Sequence, residues 1–155
     1  MTTSTERLLI PIGRNLRSGG AIHYALRRHA MGRPVEVCLL HVKESPGHWE
    51  LLFNLGHSEA HFEKQAEVAM TKAALPLIQQ KIPYAAYLRS GAVVFSILDA
   101  AEELDCREIV VPMPRTGWRR LFSREVIKTL LARQRFATVI TVTGDGLPMR
   151  PPKLT

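Results

Sequence analysis

A doubly wound, five-stranded parallel α/β sheet of the Rossmann-like class is the fold that three observations in the sequence predict. Short apolar runs alternate regularly with longer stretches of helical periodicity. The apolar runs are nearly continuous and rich in branched residues, as parallel strands covered on both faces should be. The length of 155 residues suits one compact domain with a sizeable core. Alternation of this kind implies right-handed crossovers and helices on both faces of the sheet.

The elements follow in order. Leu8–Ile12 (LLIPI) is the first strand and Val35–Val42 (VEVCLLHV) the second. Tyr84–Arg89, a weaker strand, follows Pro83, and Ile109–Val111 and Thr138–Val142 complete the set. Between them lie helical patterns over Gly20–Ala30, with Ile22, Ala25, Leu26 and His29 on one face, over about Ser58–Lys81, Val93–Leu104 and Val126–Gln134. Ser18 is expected as the N-cap of the first helix. Segment 44–56 carries Pro and Gly and then an apolar stretch that periodicity alone does not place; a lid and a short helix covering the sheet edge are the two alternatives. The domain is expected over 1–143, with 144–155, punctuated by Pro148, Pro151 and Pro152, as a tail.

Composition narrows the function classes. No apolar run approaches the roughly 20 residues of a membrane-spanning helix, and the N-terminus lacks a secretory profile, so no membrane insertion and a cytoplasmic location are expected. Cys38 and Cys106 sit in or beside apolar runs without CxxC spacing and read as small buried hydrophobes. A net charge of +7 favours anionic partners, while an aromatic content of 6% offers no stacking platform for single-stranded nucleic acid.

Catalytic and metal chemistry find little footing. His57 and His61 are spaced i, i+4, with His48 near in sequence, but no third ligand stands at matching spacing, so no metal is expected. Asp99, Glu102, Glu103 and Asp105 read as the solvated face and end of one helix. No Ser-His-Asp or Cys-His arrangement is recognisable, and the chain is expected not to be an enzyme. In a doubly wound sheet ligands bind beyond the carboxyl ends of the strands, which directs attention to the residues after Ile12, Val42 and Val111.

Three segments carry a resemblance. A first strand containing Pro (Leu8–Ile12), a second ending Leu40-His41-Val42, and the stretch Ala100–Pro112 (AAEELDCREIVVP), with Ser90-Gly91 upstream, together resemble the universal stress protein family from about Glu6 to Val142. The resemblance implies an adenine nucleotide alpha hydrolase-like sheet of strand order 3-2-1-4-5 and a stress-response role. In nucleotide-binding members an Asp follows the first strand, and a Gly-x-x-Gly-x9-Gly-Ser/Thr loop after the fourth wraps the phosphates. Those glycines let backbone N–H groups approach phosphate oxygens.

This chain departs from that signature, so its ATP-binding motif is read as degenerate. Gly13 stands at the Asp position, Pro112 at the first loop Gly and Arg115 at the second, and the closing pair falls on Ser123-Arg124 or Arg124-Glu125. Pro112 has no N–H to donate. The loop retains Gly117 and gains Arg115, Arg119, Arg120 and Arg124, an alternative set of side-chain donors for ATP, AMP or another anion ahead of a helix N-terminus. Candidate ligand residues are therefore Gly13, Val42, Arg115, Gly117, Arg119, Arg120, Ser123 and Arg124. The first expectation is nonetheless a regulatory module that does not bind ATP in the usual way and acts through protein contacts. The resemblance also implies a homodimer through the last strand, where Thr138, Val139, Ile140, Thr141 and Val142 offer an edge.

Overall fold

A computed structural model of the chain describes residues 4–13, 18–43, 59–113 and 121–149. The elements run β1 (Glu6–Ile12), α1 (Gly19–Ala30), β2 (Val35–Lys43), α2 (Glu59–Gln79), β3 (Tyr84–Ser90), α3 (Val93–Glu103), β4 (Glu108–Pro112), α4 (Leu121–Arg133) and β5 (Thr138–Val142). All strand pairings are parallel, in the order β3-β2-β1-β4-β5. The chain thus has the doubly wound sheet and strand order that its sequence predicts.

Strand alternation divides the core in two. Leu8, Ile10 and Ile12 of β1 with Val37 and Leu39 of β2 point to one face, where Ala21, Ile22 and Ala25 of α1 and Met70, Ala73 and Leu77 of α2 cover them. Leu9, Cys38, Leu40, Ile109 and Val111 point to the other, beneath Ile97 and Ala101 of α3 and Ile127 and Leu130 of α4. Both cysteines are free and buried in this second layer. The hydrogen bond with Cys38, and burial, push the Cys106 thiol pKa up.

Three local expectations are corrected. Ser18 precedes α1 but makes no side-chain cap; its carbonyl accepts from the Ile22 N–H at 2.9 Å. His29 is exposed, and Arg28 takes the inward place, 7% exposed. The reason is electrostatic: Arg28 donates to Glu6 at the head of β1 and to Glu108 at the head of β4, and the Tyr24 hydroxyl donates to Glu108 at 2.7 Å. Burial and that bond push the Tyr24 phenol up to about 12. The last helix begins at Leu121, earlier than the periodic segment from Val126 indicated.

Beyond β5 the chain folds back. Thr143–Gly146 forms a turn closed by the Gly146 N–H donating to the Thr143 carbonyl at 3.0 Å, and Val142 then bridges Pro148 antiparallel. Residues 144–149, expected as the start of a tail, lie along the sheet edge instead. Gly146 has φ +80°, and a Cβ there would stand 2.5 Å from the Tyr24 nitrogen, so only glycine fits between turn and helix. Arg27 fastens the same turn through its Nε, which donates to the Asp145 carbonyl at 2.8 Å.

The strand expected to pair with a second copy therefore already has partners on its outward side. The Glu108↔Thr138 register turns Thr138, Ile140 and Val142 backbone groups toward β4 and those of Val139, Thr141 and Thr143 outward. The Val139 N–H donates to Gln134 Oε1 (2.9 Å), the Thr141 carbonyl accepts from the Met149 N–H (2.9 Å), and the Thr143 N–H donates to the Leu147 carbonyl (2.9 Å).

Candidate functional site at the carboxyl ends of β1, β2 and β4

Strand order reverses between β1 and β4, so the crevice beyond their carboxyl ends is where a doubly wound sheet binds ligands. The hydrogen-bond ladder shapes this crevice. β1 pairs with β2 from Glu6↔Val35 through Ile12↔His41, but with β4 only at Leu8↔Glu108 and Leu9↔Ile109. Two prolines explain the difference. The Glu6 N–H donates to Pro34 of the β2 side, so alternate residues 6, 8, 10 and 12 face β2 and Pro11 faces β4. The Thr138 N–H donates to Arg107, and the Met113 N–H to Val142, so 107 and 113 face β5 and Pro112 faces β1. Each strand thus presents to the other, at its carboxyl end, a residue with no N–H to give.

Gly13, at the mouth of this crevice, carries no carboxylate, as the sequence shows. On the β2 side, His41 Nδ1 lies 3.0 Å from the Ile12 carbonyl oxygen, to which it donates, tying the end of β2 to the end of β1. Val42 turns to the opposite face and packs, partly buried, against the second core layer. The Gly91 N–H donates to the Lys43 carbonyl at 3.0 Å, and its φ of +132° turns the chain from β3 toward α3. Gly13 and Val42 are thus brought to neighbouring strand ends. Ser123 and Arg124 fall in the first turn of α4. Arg115, Gly117, Arg119 and Arg120 lie outside the described residues, as do His48 and His57.

The acidic residues around α3 are structural partners of arginines. Arg135 pairs with Asp99 (2.7 Å) and Glu102 (3.3 Å), Arg89 with Glu103 (2.5 Å) and Arg107 with Asp105 (3.6 Å). All four carboxylates are exposed, as the sequence predicts; the arginines that meet them come from β3 and from the approaches to β4 and β5, which spacing along one helix does not reveal. Among the described residues no three His, Cys, Asp or Glu side chains gather as metal ligands, and no helix is long and apolar enough to cross a membrane. An open groove of about 460 Å³ lies on the outer side of α1, lined by His23, Leu26, Arg27, Ala30, Gln80 and Asp145, away from the strand-end crevice.

A strand-order reversal on a parallel sheet of order 3-2-1-4-5, with helices on both faces, defines a doubly wound, Rossmann-like α/β domain. The universal stress protein family model matches residues 4–141, and the chain belongs to that family. Its fold is similar to that of the hypothetical protein MJ0577, with a TM-score of 0.68 and 16% identity over 89% of this chain and 95% of the other. It is also similar to the universal stress protein from Archaeoglobus fulgidus in complex with dAMP, with a TM-score of 0.59 and 15% identity over 91% and 99% of the two chains. A family protein from Arabidopsis thaliana with AMP bound gives a TM-score of 0.57 and 12% identity over 89% and 91%. Among curated proteins no sequence match is found.

Proposed function

We propose that this universal stress protein is a non-enzymatic, cytoplasmic regulatory module that does not hold ATP in the family's usual way and works through protein contacts. One observation carries the reading: the crevice where β1 and β4 part is walled by Pro11 and Pro112, with Gly13 in place of an acidic residue. A phosphate cradle depends on backbone N–H groups and glycine there, and Pro112 supplies neither. Pro11, Pro112 and Gly13 together support the reading that ATP is not held by the family's loop.

A second reading is favoured by the AMP and dAMP held by the two relatives. In it a nucleotide or other anion is held by arginine side chains of loop 115–124, next to the N-terminus of α4. A ligand that binds only the folded state raises apparent stability by mass action, so a thermal-shift titration with ATP, AMP, cyclic nucleotides and inorganic phosphate separates the two. No shift with any of them is expected. A saturable shift that Arg119→Ala/Arg120→Ala abolishes would replace the first reading with the second.

A further inference from the structure

Two thiols from distant parts of the chain meet near the amino-end margin of the second core layer. Cys38 stands on β2 opposite Leu9, and Cys106 lies in the turn that leads from α3 into β4. β1 runs between β2 and β4, yet the two side chains converge across it. The Cys106 thiol is in hydrogen-bond contact with that of Cys38 and stands 3.9 Å from the Leu104 carbonyl oxygen. Arg7 shares their face of the sheet, two residues before Leu9 on β1. Its Nε donates to Glu36 Oε2 at 3.2 Å and its Nη1 to the Leu104 carbonyl at 3.0 Å, so one guanidinium ties β2 to the turn that carries Cys106. The field of that cation reaches both thiols and favours their ionised forms. The two sulfurs are not equivalent, because the hydrogen bond that Cys106 donates lowers the Cys38 pKa and raises its own. Cys38 is therefore the first to become a thiolate.

We propose that Cys38 and Cys106 are an oxidation site, a thiol pair that a hydroperoxide converts to an intramolecular disulfide linking β2 to the approach of β4. The Cys38 thiolate attacks one peroxide oxygen and the O–O bond breaks. The departing oxygen takes up the proton that Cys38 lost and leaves as water or an alcohol, and Cys38 becomes a sulfenic acid. The Cys106 sulfur then attacks the Cys38 sulfur; its proton and the hydroxyl leave as water, and the S–S bond forms. Two electrons pass from the thiol pair to one peroxide. Contact between the thiols places the second sulfur beside the sulfenic acid, which favours the link over further oxidation. The product carries no charge, as suits the apolar layer of Leu9, Ile97, Ala101 and Ile109. A covalent bond is shorter than a hydrogen-bonded contact, and Cys106, which lies in a turn and not in a ladder strand, supplies the shift. Access runs past Arg7 and Glu36, whose side chains are 44% and 32% exposed. So exposed an ion pair contributes little to stability and parts readily for a small oxidant. The site is independent of whether the crevice binds a nucleotide.

Treating the native protein with hydrogen peroxide at neutral pH, then denaturing and alkylating it, tests the proposal by intact mass and peptide map. The expected chain is lighter by two hydrogens, takes up no alkyl group, and yields one peptide pair joined through Cys38 and Cys106. Its circular dichroism spectrum before denaturation should match that of the untreated protein, so that the link belongs to the folded chain. Because the link closes a long loop, the thermal midpoint should rise, and dithiothreitol should return it to its starting value. Cys106→Ala removes the second sulfur; it should abolish the link and leave a Cys38 sulfenic acid that dimedone traps. A wild-type chain that keeps both thiols alkylatable after the peroxide has oxidised free cysteine in the same solution overturns the proposal. So does loss of the thiols without the joined peptides, as sulfinic acid or as links between chains.

Discussion

Gly20 of α1 and Thr143 at the end of β5 are in such close approach that a Cβ built on Gly20 would stand 2.3 Å from the Thr143 carbonyl oxygen. The atoms it would meet are backbone atoms of Thr143 and Gly144, so none can swing aside as a side chain would. Gly20→Ala is therefore expected to destabilise the fold by about 1–3 kcal/mol, the usual cost of overpacking a fitted contact. Urea denaturation measures it. A midpoint within error of wild type would mean that the turn moves away freely.

Gly146→Ala combines two penalties at one place, a positive φ and a clash with the backbone of Tyr24. The left-handed conformation alone costs a side-chain-bearing residue roughly 1 kcal/mol. Loss of the turn should also release the Thr141 and Thr143 backbone groups. Faster exchange at the Thr143 and Met149 amides, with the β4 amides unchanged, is the expected signature.

Arg28 is enclosed between two carboxylates from two strands. Arg28→Ala leaves the partly buried Glu108 beside Tyr24 without its cation; breaking a fully buried pair from one side costs about 3–5 kcal/mol, and the partial exposure of Glu108 lowers the expected loss to about 2 kcal/mol. Arg28→Met paired with Glu108→Gln should recover part of that loss, because it removes both charges together. A single substitution as mild as the double one would assign the burial of Arg28 to its aliphatic stem.

Alkaline pH offers a separate readout. The folded-state pKa of Tyr24, about 12, lies above the ordinary value of 10.0. The unfolded chain then loses the phenolic proton first, so the contribution is intact below pH 10 and falls away as pH rises toward 12. Because the ring is only partly buried, the loss is discounted for screening to on the order of 1 kcal/mol. Stability profiles of wild type and Tyr24→Phe should diverge in that window; parallel profiles would contradict the shift.

Cys38 and Cys106 are nearly inaccessible, 1% and 0% exposed. A thiolate must form and be reached before it reacts. Thiol titration with a chromogenic disulfide should find no fast-reacting group in the native protein and both after denaturation. Rapid modification of the native chain would show that the second core layer opens readily.

Much of the architecture was legible in the sequence because parallel strands covered on both faces leave continuous apolar runs, and β5 was placed at its observed bounds, Thr138–Val142. What escaped was set by tertiary partners. Arg28 is buried by carboxylates that stand 22 and 80 residues away, so its neighbour His29 looked the better core residue on hydropathy alone. The first turn of α4, LFSRE, reads as the end of an arginine loop because its apolar residues come before the periodic run. The Gly144-Asp145-Gly146 turn carries a hairpin signal, yet the returning segment is short and contains Pro148, which obscured it. At the candidate site, the prolines and Gly13 were visible as residues. That Pro11 and Pro112 turn toward the same seam depends on the ladder phase, which only pairing reveals.

The seam between β1 and β4 divides the sheet into unequal plates, β3-β2-β1 on one side and β4-β5 on the other. Arg28 rivets the plates together at their amino ends by holding Glu6 and Glu108 at once, while the prolines leave the opposite ends unstitched. Parting the carboxyl ends of the plates therefore breaks no hydrogen bond from Pro11 or Pro112, whereas parting their amino ends must break the Arg28 pairs.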